Sequence, residues 1–135
     1  MILCDAGPLV ALMDTDDGSH LECHGILLTM EPPLIATWAC LTEAMHIVGR
    51  RSGSHGRANL WKLVDSQTVV VCEHGPGELR RMRELMGKYH DLPMDLADAS
   101  LVAIVESLNL TRIFTLDSDF EIYRLADGRA FEILP

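Results

Sequence analysis

Asp95 and Asp98, in the run from Pro93 to Ser107, are carboxylates three residues apart at the mouth of an otherwise apolar segment. On a helix that spacing puts both on one face, with Cβ atoms roughly 5–6 Å apart. Pro93 supplies the start of the first turn, so both acids lie near the positive end of the helix dipole. Asp95 also has a purely structural account as an N-cap or first-turn acid. Asp98 fits that account less well, because Leu101, Val102, Ile104, Val105 and Leu108 make the following helix apolar on nearly every side. A carboxylate at the edge of a buried helix needs a partner. Three more acids stand at positions that matter: Asp5 after Ile2-Leu3-Cys4, Asp117 after Arg112-Ile113-Phe114-Thr115-Leu116, and Glu43 inside an apolar helical stretch. Glu43 either points outward or serves a polar pocket. None of the acids Asp5, Glu43, Asp98 and Asp117 has a Lys or Arg beside it in sequence. Carboxylates gathered without basic partners repel, and a divalent cation is the usual remedy. Oxygen-only ligation selects Mg²⁺ or Mn²⁺ over zinc, and the reaction that most needs such a site is phosphodiester hydrolysis.

Gathering these acids requires particular elements. Met1 to Asp5 reads as a short buried strand, with Gly7 giving a tight turn and Pro8 opening a helix. Asp14 to Ser19 is a turn of solvated capping acids before a helix to about Met30. Leu34 to Thr37 is a second strand, Trp38 begins a helix to about Val48, and Gly49 to Gly56 reads as a Gly/Ser-rich connector before a helix over Ala58 to Val64. Gln67 to Cys72 is the clearest strand by β-branching. A charged helix over Glu78 to Lys88, the Pro93 helix, and strands at Arg112–Leu116 and Ala130–Leu134 complete the chain. Alternating strands and helices imply an α/β layer fold with a mainly parallel sheet. Right-handed crossovers would then bring the strand ends, with Asp5 and Asp117, together on one edge, where ligands bind in open α/β sheets.

The chain has 135 residues, 48% of them hydrophobic, which suits one domain over 1–135; a chain of this size buries about 68% of its unfolded surface. No apolar run approaches a spanning helix and the amino terminus has no basic region before an apolar one, so a soluble, cytoplasmic protein with no membrane partner is expected. The cysteines, Cys4, Cys23, Cys40 and Cys72, are scattered, and reduced buried thiols are expected. His20, Cys23 and His24 have the spacing of zinc ligands but lack an evident fourth. With 20 acids against 11 Lys and Arg, the net charge of −9 argues against nucleic-acid binding through a broadly basic surface. Arg50, Arg51, Arg80, Arg81 and Arg83 are the candidate phosphate contacts, or else solvated helix faces.

Taken together, Leu3 to Ala11, Leu41 to Ala44, Met94 to Ala103 and Phe114 to Phe120 give the chain a resemblance, in order and over nearly its whole length, to the PIN domain nucleases, and among them the VapC-type toxins of toxin–antitoxin pairs. The resemblance implies a PIN-like three-layer α/β/α fold and a Mg²⁺- or Mn²⁺-dependent endoribonuclease. It implies that Asp5, Glu43, Asp98 and Asp117 are the acidic metal-site residues, with Asp5 central, Asp119 and Asp95 as further metal-site candidates, and Thr115 orienting a carboxylate or water. It also implies a homodimer, a VapB-like antitoxin that inserts a segment into the acidic groove, and RNA as substrate, a tRNA or rRNA loop among the options. Two other readings stand beside it. One is a catalytically silent PIN-fold partner of an antitoxin or RNA. The other is a phosphotransfer domain using Asp5, against which Asp5-Ala6-Gly7 lacks the second acid of a D-x-D motif.

Overall fold

The computed structural model describes residues 1–135. In chain order the elements are β1 (Ile2–Cys4), α1 (Ala6–Met13), α2 (His20–Thr29), β2 (Leu34–Thr37), α3 (Trp38–Asp65), β3 (Val69–Cys72), α4 (Pro76–Lys88), α5 (Leu96–Ser107), β4 (Arg112–Phe114), a 3₁₀ turn (Ser118–Glu121) and β5 (Glu132–Leu134). The strands form one sheet in the order β3-β2-β1-β4-β5, and every neighbouring pair is parallel. Because successive strand residues point to opposite faces, Leu3, Ile35 and Ile113 enter one core with α4 and α5. Ile2, Cys4, Leu34, Ala36 and Phe114 enter the other with α1 and much of α3. The result is the expected α/β/α three-layer, PIN-like architecture. No helix is long and apolar enough to cross a membrane.

Several local expectations are corrected. Gly49 to Gly56 is not a connector: α3 runs through it and breaks only at Gly53, whose φ of 62° and ψ of −151° turn the second half back on the first. Gly56 is there for close approach, since a Cβ at that position would meet Ser52 Cβ and Val48 Cγ1 at 2.7 Å, while the Arg57 guanidinium lies over Gly49. Helix α1 begins at Ala6, before Gly7 and Pro8, because Asp5 itself is the N-cap. Pro93 likewise lies outside α5, which Asp95 caps. Asp14 and Asp17 are not freely solvated caps; Arg51, two residues before Gly53 in α3, reaches them at 3.2 and 2.8 Å. The strands are shorter than expected at β3, β4 and β5, and Gln67 sits outside β3 with a φ of 59°. The four cysteines are free. His20, Cys23 and His24 do not converge on a point: the two rings stack 6.0 Å apart, a His20 ring nitrogen contacts the Ala11 carbonyl, and Cys23 is buried in the core.

Candidate active site

The carboxyl ends of β1 and β4 are adjacent, and the Asp5 amide donates to the Phe114 carbonyl across them at 2.9 Å. Asp5 and Asp117 therefore leave neighbouring strands at one edge of the sheet. On the other side of β1, β2 passes directly into α3, with Thr37 capping the Cys40 amide, and carries Glu43 toward the same edge. The amino terminus of α5 completes the assembly. There Asp95 Oδ1 accepts from the Asp98 amide at 2.8 Å, so the capping account of Asp95 is realised in the structure while its side chain still lines the cleft.

Asp5, Glu43, Asp95, Asp98 and Asp117 line one open cleft of about 390 Å³. Asp119 joins from the 3₁₀ turn: carboxylate oxygens of Asp98, Asp117 and Asp119 all lie within 4.8 Å of one another. That compact trio does not include Asp5, the acid the resemblance makes central. No ion pair reaches any of these acids.

Four of the six carboxylates, those of Asp5, Asp95, Asp98 and Asp117, are held by nearby donors. Asp5 Oδ1 accepts from the Ala6 amide at 2.6 Å and Oδ2 from the buried Thr115 hydroxyl at 2.8 Å. Thr115 Oγ1 also accepts from the Asp117 amide at 3.1 Å, so one hydroxyl ties two strand-end acids together. Asp117 Oδ1 accepts from the Asp119 amide at 2.9 Å, which opens the 3₁₀ turn. Asp98 Oδ2 accepts from the Tyr123 hydroxyl at 2.8 Å. Behind the acids, Thr37 and Ser100 hydroxyls meet at 2.6 Å in the core, Ser100 donates to the Ala97 carbonyl, and the Cys40 thiol approaches Asp5 Oδ1 at 3.9 Å. This network locks β2 and α3 to the first turns of α5.

The electrostatics follow from gathering acids in a partly dry space. Burial raises the Asp98 carboxyl pKa to about 7, against the opposing hydrogen bond from Tyr123 and with further upward pressure from Asp95, Asp5 and Asp117. Burial also raises Asp5, despite the Thr115 and Ala6 bonds, and raises Glu43, whose neighbours Asp5, Asp95 and Asp117 add to the shift. Several ionised carboxylates there would stabilise a divalent cation, and the all-oxygen donor set matches a hard ion rather than zinc. The acidic cluster thus suggests divalent-metal use.

Sequence reasoning assembled Asp5, Glu43, Asp95, Asp98, Asp117 and Asp119 and anticipated the Thr115 role, but it missed Tyr123. The signal available was a tyrosine three residues after Asp117-Ser118-Asp119-Phe120, a position whose partner only the fold discloses. Of the five arginines considered for phosphate contact, Arg51 is committed to Asp14 and Asp17, and Arg81 grips Glu106 through two bonds of 2.7 and 2.9 Å. Arg50, Arg80 and Arg83 are exposed and unpaired.

No protein-family model matches the chain. In sequence it is similar to Ribonuclease VapC26 of Mycobacterium tuberculosis (strain ATCC 25618 / H37Rv), at 21% identity over 99% of this chain and 100% of the relative. In structure it is similar to the Mycobacterium tuberculosis VapC20 crystal structure, described as a Sarcin-Ricin loop cleaving toxin, with a TM-score of 0.85 at 18% identity and full coverage of both chains. It is also similar to VapBC2 from Rickettsia felis, crystallised with a DNA fragment from the promoter, with a TM-score of 0.68 at 12% identity and full coverage of both. At these identities the solved structures establish a shared fold. That fold and the full-length sequence similarity together bear out the resemblance to PIN-domain proteins of the VapC type.

Proposed function

We propose that the chain is a divalent-metal-dependent endoribonuclease of the VapC kind, hydrolysing RNA phosphodiesters in the acidic cleft. The observation that carries this reading is the convergence of acids from both ends and the middle of the chain on one open hollow that no Lys or Arg enters as an ion-pair partner. Full-length similarity to a named ribonuclease supports it independently. Asp5, Glu43, Asp98 and Asp117 are assigned as catalytic, metal-holding acids, with Asp119 a further ligand and Asp95 lining the cleft while capping α5. Mg²⁺ is the proposed ion, with Mn²⁺ able to replace it, because the donors are all carboxylate oxygens.

When bound, such a cation would neutralise the acids, polarise a phosphoryl oxygen and make a water a competent nucleophile. The chain supplies the positioning. Thr115 and the Ala6 amide fix both Asp5 oxygens, and the Asp119 amide fixes Asp117. Glu43 is exposed and reaches the open cleft from α3.

The proposed substrate is a structured tRNA or rRNA loop, in which an exposed phosphodiester and its 2′-OH are available for recognition. The proposed partners are a second copy of the chain, forming a homodimer, and a VapB-like antitoxin. The decisive experiment maps RNA ends across total RNA after brief expression of the chain and of Asp5→Asn. A discrete new 5′ end made by the first and absent with the second is expected; identical end maps would remove the nuclease assignment.

A further inference from the structure

A cluster of aromatic rings packs behind the amino-terminal turns of α5, and one of its members touches the acidic cleft. Tyr123 is fully buried, yet its hydroxyl is not satisfied by backbone; it donates to Asp98 Oδ2 at 2.8 Å. The ring has little freedom to aim elsewhere. Tyr89 meets it edge-on with centroids 5.0 Å apart, and Phe120 meets it at 5.1 Å and 81°. Phe120 is braced in turn by Phe131 at 5.6 Å, and Tyr89 is anchored because its hydroxyl accepts from the Arg124 amide at 3.0 Å. Edge-to-face pairs of this kind hold ring orientation as well as adding burial. A phenylalanine at 123 would fill the same space, so the hydroxyl serves the carboxylate rather than the packing.

We propose that Tyr123 is a positioning residue of the acidic site, whose hydrogen bond occupies Asp98 Oδ2 and so presents Oδ1 to a divalent cation in the cleft. The inference rests on the metal-dependent reading above. A carboxylate free to rotate about its terminal torsion offers either oxygen or both; one gripped through Oδ2 by a braced phenol is held in one orientation, with Oδ1 free of any hydrogen bond to the chain. The same short stretch delivers Asp117, Asp119 and Tyr123, so the 3₁₀ turn that places two acids also sets the angle of a third residing on a different helix. Groups that orient metal-binding side chains in this way are worth about 10- to 100-fold in metal affinity.

The test is Mn²⁺ titration by calorimetry on the intact chain, with Tyr123→Phe, Tyr89→Phe and Asp98→Asn. Tyr123→Phe is expected to weaken Mn²⁺ binding about 10-fold or more, while Tyr89→Phe, which removes the anchor of one bracing ring but no bond to an acid, weakens it by a clearly smaller factor. In the Asp98→Asn background the Tyr123→Phe change should add little, since coupled residues are not additive. Wild-type affinity in Tyr123→Phe, equal weakening in Tyr89→Phe, or an undiminished effect without Asp98 would each overturn the proposal. Binding that Asp98→Asn abolishes but Tyr123→Phe does not alter removes this role alone; no Mn²⁺ binding by the wild type removes the metal-dependent reading with it. Should Tyr123→Phe not fold, the chain's two tyrosines allow a direct reading: in Tyr89→Phe labelled with ring-¹³C tyrosine the labelled NMR signal belongs to Tyr123 alone and is expected to shift on Mg²⁺ loading, and an unchanged signal overturns the proposal.

Discussion

Asp98 concentrates the physical tension of the site in one residue, because it is buried, surrounded by other acids and supported by one phenol. Its carboxyl pKa of about 7 makes the sign of the pH dependence definite. The folded chain holds a proton that the unfolded chain releases near the ordinary aspartate value, so the stability Asp98 contributes without metal is fully present below that value and is lost as pH rises through about 7. Asp5 and Glu43 are shifted in the same direction. Asp17, Glu78 and Asp127, lowered by their hydrogen bonds, act in the opposite sense but only below the ordinary carboxylate range. Thermal melts in chelator should therefore show Tm falling between pH 5 and pH 8, with a flatter profile for Asp98→Asn; a rising profile would contradict this assignment. For catalysis, Asp5→Asn and Asp98→Asn should each lower the rate of RNA cleavage by roughly 10²- to 10³-fold, the usual cost of deleting one group that stabilises transition-state charge. Single-turnover cleavage at saturating Mg²⁺, alongside circular dichroism to verify folding, measures it.

The elements hold the acids in register through two features that carry no charge. One is the buried hydroxyl pair Thr37–Ser100, which joins the end of β2 to the second turn of α5. Ser100→Ala leaves the Thr37 hydroxyl without its acceptor, and Thr37→Val removes the cap on the Cys40 amide, so each should cost about 1–3 kcal/mol, and the two together less than the single changes summed. Urea unfolding of the four proteins in this cycle gives the comparison. The other is Gly53, at a backbone conformation (φ 62°, ψ −151°) that is essentially glycine's alone. Gly53→Ala should destabilise by about 1–3 kcal/mol and loosen the Arg51 contact with Asp14 and Asp17. The helical patterns on both sides of Gly53 were legible in the sequence, as was the largely apolar α5 with Asp98 near its start. The break itself was misplaced, because glycines at 49, 53 and 56 look alike in sequence while Gly53 turns the chain and Gly56 lets its halves touch.

At the scale of the molecule, a net charge of −9 sits on a chain whose unpaired arginines considered for RNA contact are Arg50, Arg80 and Arg83. If these supply the phosphate contacts, RNA affinity should fall with salt with a log–log slope no steeper than about −2 to −3, at about −0.7 to −0.9 per phosphate neutralised. Fluorescence anisotropy with Asp5→Asn and a noncleaved RNA, at fixed Mg²⁺ and varied KCl, measures that slope; a much steeper one would require a basic surface elsewhere. Divalent ions should also stabilise the fold by mass action, by about 2.7 kcal/mol at a hundred times Kd.

Residue order alone determined the class of chemistry and most of the architecture. Acids placed at the ends of apolar strands and at the mouth of an apolar helix, with no basic neighbours in sequence, already imply a parallel α/β sheet with a charged edge. What only the tertiary structure decided was the pairing of side chains across long separations: Thr115 with Asp5, Tyr123 with Asp98, Thr37 with Ser100, and Arg51 with the turn before α2. Periodicity reports which face a residue occupies within its own element, a local property of the backbone. Which donor meets which carboxylate depends on how whole elements are stacked and rotated against one another, and that is settled by packing in the two cores on either side of the sheet.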